Sequence, residues 1–289
     1  MNKIIKIALI VLLVVIVTSC SKSPSSTPST SSTTASSSQS SGRVSFTMAS
    51  EDDFTVRLAD GGGAVITSYN GKGGNIAIPA KIQGVQITLI ERHFSGTVYL
   101  GVFGENVTGV QLPVGLTVIG DSAFEKSGIS TVIIPNTVRE IRASAFRDCK
   151  NLESISIPDS VTIGDGILQG SGIKSFTFPA RLIAMKRIPR LMFSGSSLEK
   201  IVIPEGIVTI EEVAFSDCKN LTSVTLPSTI KSIDGYAFAS CTSLTEVIIP
   251  ENVTSISFEV SYFGHESFSG CPKLSLASQA RLKQLGYVF

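Results

Sequence analysis

Seven prolines fall at positions 113, 135, 158, 179, 204, 227 and 250, spaced by 22, 23, 21, 25, 23 and 23 residues. An apolar residue precedes each of them: Leu112, Ile134, Ile157, Phe178, Ile203, Leu226 and Ile249. A fixed period of roughly 20–50 residues restricts the fold more than local propensity does, because each repeat must stack on copies of itself to bury a core. Eleven residues after Pro113, Pro135, Pro204 and Pro227 stand the pairs Ala123-Phe124, Ala145-Phe146, Ala214-Phe215 and Ala237-Phe238. Three residues beyond Phe146, Phe215, Phe238 and Phe268 stand Cys149, Cys218, Cys241 and Cys271.

The stretch Leu221–Leu226 has the spacing Leu-x-x-Val-x-Leu, and residues 129–134, 152–157, 173–178, 198–203 and 244–249 repeat it. Alternate residues of a strand face opposite ways, so Val224 and Leu226 point inward and Ser223 and Thr225 outward. Proline lacks an amide donor and fixes φ, so it ends the strand. The chain then turns into a short second strand around Ile210, and a tight helical turn buries Phe215. Applied strand by strand, the alternation places Gly109 and Gln111, Thr131 and Ile133, Ser154 and Ser156, Ser175 and Thr177, Lys200 and Val202, Ser223 and Thr225, and Glu246 and Ile248 on one open face. That face is small, polar and nearly uncharged. It offers area without a pocket, which suits an extended protein partner better than a small ligand.

The motif set Ile134-Pro135, Ile141, Ala145-Phe146, Cys149, Leu152, Ile155 and Ile157-Pro158, with its downstream equivalents, resembles the BspA-like, or Treponema-type, leucine-rich repeat family over about residues 75–275. The resemblance implies a curved repeat solenoid, β-rich, with short helical turns on its convex side and the open strand face on its concave side. It also implies a bacterial or protist surface protein linked with adhesion to host or neighbouring-cell proteins, and it brings no catalytic residues.

One coil cannot bury enough to fold alone, so the stack needs caps at its open ends. Phe54–Leu58 and Ala64–Tyr69 flank Asp60-Gly61-Gly62-Gly63, a hairpin signal. At the other end Ser275 can cap a helix of about 276–285, with Leu282 and Leu285 on one side, Gly286 as its stop and Tyr287-Val288-Phe289 folded back over the last coil. The expected division is residues 43–74 for the N-terminal hairpin cap, 75–275 for the repeats and 276–289 for the C-terminal cap.

Upstream, Met1–Lys6 carries two lysines and Ile7–Val17 is an unbroken apolar run, too short for a lasting span of roughly 20 residues. This is the pattern of an export signal over residues 1–19. Val17-Thr18-Ser19-Cys20 resembles the bacterial lipobox, which implies cleavage before Cys20 and acylation of that residue. Two or more chains anchor stably where one does not. Residues 21–42 contain 12 Ser and 4 Thr and no large apolar side chain, so residues 20–42 read as a lipidated Cys on a stalk with a reach of about 25 Å. The address that follows is the cell envelope, lipid-anchored and facing outward.

Composition narrows the chemistry. Lys plus Arg is 24 against 23 Asp plus Glu, and setting Lys3 and Lys6 aside leaves a slight negative surplus, which excludes bulk-electrostatic binding of nucleic acid. Only His93 and His265 occur, so a three-histidine metal centre is impossible. His93 stands before Phe94 where other coils carry Ala, with no partner nucleophile or carboxylate in the pattern. The cysteine intervals match no zinc spacing. Their place is taken by Ser127, Ser171 or Ser196 in other coils, which makes them small buried fillers with free thiols. Proximity of Cys218 and Cys241 on adjacent coils leaves a bridge open. Glu51-Asp52-Asp53 is the one acidic run, a solvated turn or a calcium ligand set. No nucleophile elbow or phosphate loop occurs. The expectation is therefore a protein-binding surface protein with no cofactor and no catalytic site; a structural envelope protein without a specific ligand is the alternative.

Two registers are irregular. Pro179 to Phe193 spans 14 residues and carries Arg181, Lys186, Arg187 and Arg190; Pro250 to Phe268 spans 18 and carries Phe258, Tyr262, Phe263 and His265. The first reads as a solvated basic loop or an acidic-partner contact, the second as packing on the C-terminal cap or a binding knob.

Overall fold

The computed structural model describes residues 44–92, 101–258 and 267–289. Cys20, the stalk, His93, Phe94, Tyr262, Phe263 and His265 lie outside the described residues. Residues from Val44 onward form one unit, a β-solenoid of about eight coils. A regular coil runs from an inner strand through a proline turn to a two-residue strand, and then through successive i→i+3 turns to the next coil.

The proline does two jobs. Its fixed φ starts a turn, and its carbonyl accepts a bond from the residue three further on. This holds for Pro113, Pro135, Pro158, Pro204, Pro227 and Pro250, which receive the amides of Leu116, Val138, Val161, Ile207, Ile230 and Val253 at 3.1–3.4 Å. The receiving residues are buried aliphatics, so each turn also drops an anchor into the core. The parallel two-residue strands then align: Glu140–Ile141 pairs with both Val118–Ile119 and Thr162–Ile163, and Thr209–Ile210 pairs with Arg187–Ile188 and Ser232–Ile233. The segment around Phe215 is a run of three i→i+3 turns rather than a helix, with Ala214 N donating to Glu211 O, Ser216 N to Val213 O and Cys218 N to Phe215 O.

Two columns fill the interior. Phe103, Phe124 and Phe146 stack with centroids 4.8 and 5.2 Å apart, and Phe193, Phe215, Phe238 and Phe268 stack at 5.2, 5.0 and 5.1 Å. Between the two runs Leu168 holds the aromatic position, its amide donating to Met192 O as Phe146 donates to Ile167 O. Tyr69 extends the column at one end and Tyr287 closes it at the other, edge-on to Phe268 at 5.3 Å. Beside this runs the column of Ser and Cys. Cys149, Cys218, Cys241 and Cys271 carry free thiols, each donating to the carbonyl of a Phe in the preceding coil at 3.0–3.2 Å. Ser127 contacts Cys149 at 3.4 Å and Ser196 contacts Cys218 at 3.6 Å, so serine and cysteine are interchangeable there.

The ends are closed by elements of other kinds. Phe54–Leu58 and Ala64–Tyr69 form the antiparallel hairpin, and the second of these strands pairs in parallel with Val85–Ile90. The strand Val85–Ile90 and the edge strand Thr47–Met48, paired to Gly74–Ala77, carry no proline register of the kind that marks the later coils. At the far end helix α2 covers Leu276–Gln284, with Ser275 accepting from Ser278 N at its start. Leu282, Leu285 and Tyr287 are buried against the last coil, and the Tyr287 hydroxyl accepts from Phe268 N. Val288 and Phe289 depart from the expected fold-back: both are exposed.

One expectation fails in the middle of the stack. Residues 152–157 and 173–178 were expected to be inner strands, and neither is one. The inner sheet is therefore two sheets. One orders Thr47–Met48, Gly74–Ala77, Val107–Gln111 and Thr131–Ile133; the other orders Lys200–Val202, Ser223–Thr225 and Glu246–Ile248. In residues 173–178 the departure centres on Phe176. It takes the inward place that Val132, Ile201, Val224 and Val247 fill elsewhere, and its ring packs on Phe178 at 5.2 Å and Phe193 at 5.1 Å. A ring in a valine-sized slot holds the strand off its neighbours, since close-packed interiors do not absorb extra volume without backbone shifts.

Candidate functional site

The open strand face is built from rows set by register. Val202 lies opposite Thr225 and Thr225 opposite Ile248; Gln111 lies opposite Ile133, and Ala77 and Met48 continue that row. Lys200, Ser223 and Glu246 form the row beside it, with Ser223 Oγ donating to Glu246 at 3.3 Å. Met48 and Ile133 in one sheet and Val202 and Ile248 in the other are 64%, 46%, 68% and 43% exposed, while Ile201, Val224 and Val247 between the rows are buried. Alternation of inward and outward side chains accounts for the whole arrangement.

Of the residues expected here, Gln111, Ile133, Lys200, Val202, Glu246 and Ile248 are exposed, and Thr131, Ser223 and Thr225 are half-buried. Ser154, Ser156, Ser175 and Thr177 are exposed but sit on the two segments that are not strands. Gly109 is buried. A Cβ there would meet Asn75 Oδ1 at 2.6 Å and the Phe46 ring at 3.3 Å, so the N-terminal segment lies over it.

Two features were missed. Met48 joins the apolar row through a two-residue edge strand that carries no repeat motif. The margin of the face is a ladder of hydroxyls: Ser130, Thr222 and Thr245 donate to the carbonyls of Thr108, Glu199 and Thr222 at 3.0–3.2 Å. Where the hydroxyls give way to Glu153 and Lys174, a 2.6 Å ion pair joins the coils instead. The signal was present, since Ser or Thr stands one residue before the outward position in four coils.

The irregular basic segment is not a free cationic patch. It folds as helix α1, Ala180–Ala184, and the strand Arg187–Ile188, with Arg187 on Glu211 at 2.6 Å and Arg190 on Glu212 at 3.1 Å. Phe258, from the other irregular segment, is buried with its ring 5.0 Å from Tyr287, so it packs on the C-terminal cap. Glu51–Asp53 form a 3-10 turn in which Glu51 accepts the amide of Gln83 at 2.7 Å. Among the described residues no cluster of three or more His, Cys, Asp or Glu could hold a metal ion, and no helix is long and apolar enough to cross a membrane. A shallow depression of about 270 Å³ lies beside Gly195, Ser197, Asp217, Lys219 and Asn220, open rather than enclosed.

Two thiols of the column are held protonated, while Cys218, despite burial that raises it, and Cys271 are lowered by hydrogen bonding with Cys241. Burial pushes the Cys149 thiol up to about 12, and the adjacent Cys218 and Cys271 thiols, with burial, push Cys241 up as well. A thiol held protonated is a poor nucleophile and a poor metal ligand.

The family model for the BspA type leucine rich repeat region matches residues 101–188 and 186–285 in six copies. The leucine-rich repeat protein of T. pallidum is similar at 26% identity and a TM-score of 0.54, covering 83% of this chain and 97% of that one. The pneumococcal vaccine antigen PcpA is similar at 17% identity and a TM-score of 0.48, covering 76% and 78%. A leucine-rich repeat protein from Eubacterium ventriosum is similar at 21% identity and a TM-score of 0.40, covering 75% and 92%. No curated protein matches the chain.

Proposed function

We propose that this chain, which belongs to the BspA-type leucine-rich repeat family, holds a protein partner on its open strand face at a cell surface. One observation carries the reading. Val202 and Ile248 stand exposed in one row with Thr225 between them, Ile133 stands exposed at the same position of the other inner sheet, and the Ser223–Glu246 bond and the Lys174–Glu153 ion pair lie beside them. Aliphatic side chains held in water on rigid strands give up free energy when a partner covers them, and the hydroxyls between them fix its register. The depression at Gly195 is too open to enclose a small molecule, and the reading assigns no catalytic residue.

The address rests on the sequence. The export signal, Cys20 after Val17-Thr18-Ser19, and the Ser/Thr-rich stretch to Gly42 support an acylated anchor and a spacer that lifts the repeats off the membrane. Adhesion to a host or neighbouring-cell protein is the role that combines such an anchor with such a face.

Binding of the full chain to an array of extracellular glycoproteins tests this, with the variant Val202→Lys/Thr225→Lys alongside. The proposal expects a captured partner whose affinity falls at least about tenfold in the variant, because a buried lysine at the centre of an interface must be desolvated. A partner bound equally by both proteins overturns the assignment of the face.

A further inference from the structure

We infer that the stack flexes at the coil between Cys149 and Phe193, where two blocks meet in a seam that opens on the strand side and pivots on the turn side. This holds whether or not the strand face binds a protein, since it rests on bonding within the chain.

The regular inner face is stitched by one bond per coil from the residue that ends each strand. Ala49 N donates to Ala77 O, Ile78 N to Gln111 O, Leu112 N to Ile133 O, Ile203 N to Thr225 O and Leu226 N to Ile248 O, at 2.8–3.1 Å. At the equivalent places, Ile134, Ile157 and Phe178 donate no such bond. What crosses this stretch is a thinner set: Gly172 N to Cys149 O, Lys174 N to Glu153 O and Ser197 N to Ser171 O at 3.1 Å, Glu199 N to Lys174 O at 3.4 Å, Arg181 N to Asp159 O at 2.9 Å, and the exposed Lys174–Glu153 ion pair.

The second strand face breaks in the same coil. Thr162–Ile163 ends one sheet and Arg187–Ile188 begins another, with α1 between them. The aromatic column changes there too, since Leu168 replaces a ring between Phe146 and Phe193. Ile155, Phe176 and Phe178 are only partly covered, while Val224 and Leu226, which hold the same places in the coil of residues 221–226, are 0% and 1% exposed.

The turn side keeps every rung. Phe146 N donates to Ile167 O at 3.0 Å, Leu168 N to Met192 O at 3.1 Å and Gly170 N to Ser194 O at 2.7 Å. Bonds complete on one side and thinned on the other two define the axis: rotation about the turn ladder keeps its rungs and parts the strand edges at the cost of only those few crossing bonds. The motion changes the separation of Thr131–Ile133 and Lys200–Val202, the last paired strands on each side. Hinge motions of this kind run on microsecond-to-millisecond timescales and draw on regions with few backbone bonds.

Two readouts on the full chain test this. In hydrogen exchange, the amides of Ser154–Ile157 and Ser175–Phe178 should exchange about a hundredfold faster than those of Ile201, Val224 and Val247, and protection within about threefold would overturn the seam. A static gap is separated from a hinge by spin labels at Ser130 and Thr222. The cysteines are replaced for this purpose by serine, the residue that already holds their column at 127, 171 and 196. The interlabel distribution should be broad, and it should narrow when Phe176→Val and Phe178→Ile restore the side chains of the regular coils. An equally narrow distribution without those two changes overturns the hinge. The exchange measurement needs no variant, so failure of the double variant to fold leaves the inference open to refutation.

Discussion

Phe215 lies between Phe193 and Phe238, near-parallel to both and fully buried. Its value is shared by two coil interfaces, so truncation opens a cavity that neither neighbour can fill from a rigid ladder. Phe215→Ala should cost about 3–5 kcal/mol in chemical denaturation, the range for large aromatic deletions. The Ser and Cys column makes a different prediction. The folded Cys149 thiol titrates near 12, against about 8.5 for an unfolded chain. Between those values the unfolded state sheds a proton that the folded state keeps, so stability is present in full below about pH 8.5 and drains away as pH rises. Cys149→Ser removes that titration, and its denaturation midpoint should fall less than the parent's between pH 8.5 and pH 11. Both columns were legible in the sequence because they repeat at fixed offsets from proline. The burial of Gly109 was not, because it depends on Phe46 reaching over it from a segment with no repeat to mark it.

At the scale of the element, the proline turns and short strands followed from spacing alone. The failed strands at 152–157 and 173–178 show what spacing omits. Phe176 is apolar and stands in the inward place, so polarity marks it as regular; its volume is what disagrees with the slot. A second local device is the shortened turn at Ser127-Gly128-Ile129 and Ser171-Gly172-Ile173, one residue tighter than Cys218-Lys219-Asn220-Leu221. The tighter turn brings the backbone against the preceding coil: a Cβ on Gly172 would stand 2.2 Å from Lys150 O. Gly172→Ala should therefore cost about 1–3 kcal/mol through forced backbone shifts. Gly61→Ala, in a loop with nothing within 4 Å of the added carbon, should leave the thermal midpoint within a degree or so of the parent's. Equal effects from the two changes would contradict the stacking contact.

For the whole molecule, the repeats state the fold and the comparisons place it in a family, because each coil contacts mainly the next and one register explains them all. The ends were less legible. Before Val107 only Ile78-Pro79 carries the apolar-proline pair, and the other strands there are joined through a hairpin and a parallel pairing that no spacing announces. The candidate site was legible as a set of outward positions, but its break into two sheets was not. Cys20 and the Ser/Thr-rich stretch lie outside the described residues, so the anchor remains a proposal carried by the sequence. The molecule depends throughout on consecutive coils sharing one dry aromatic column. Hydroxyl-radical footprinting with mass spectrometry reads this ring by ring in the native chain. Phe124, Phe146, Phe193, Phe215 and Phe238 should resist oxidation while the exposed Phe289 reacts, and their protection should vanish together on unfolding. Oxidation of Phe146, Phe215 or Phe238 at the rate of Phe289 in the folded protein would contradict the shared column and the fold built on it.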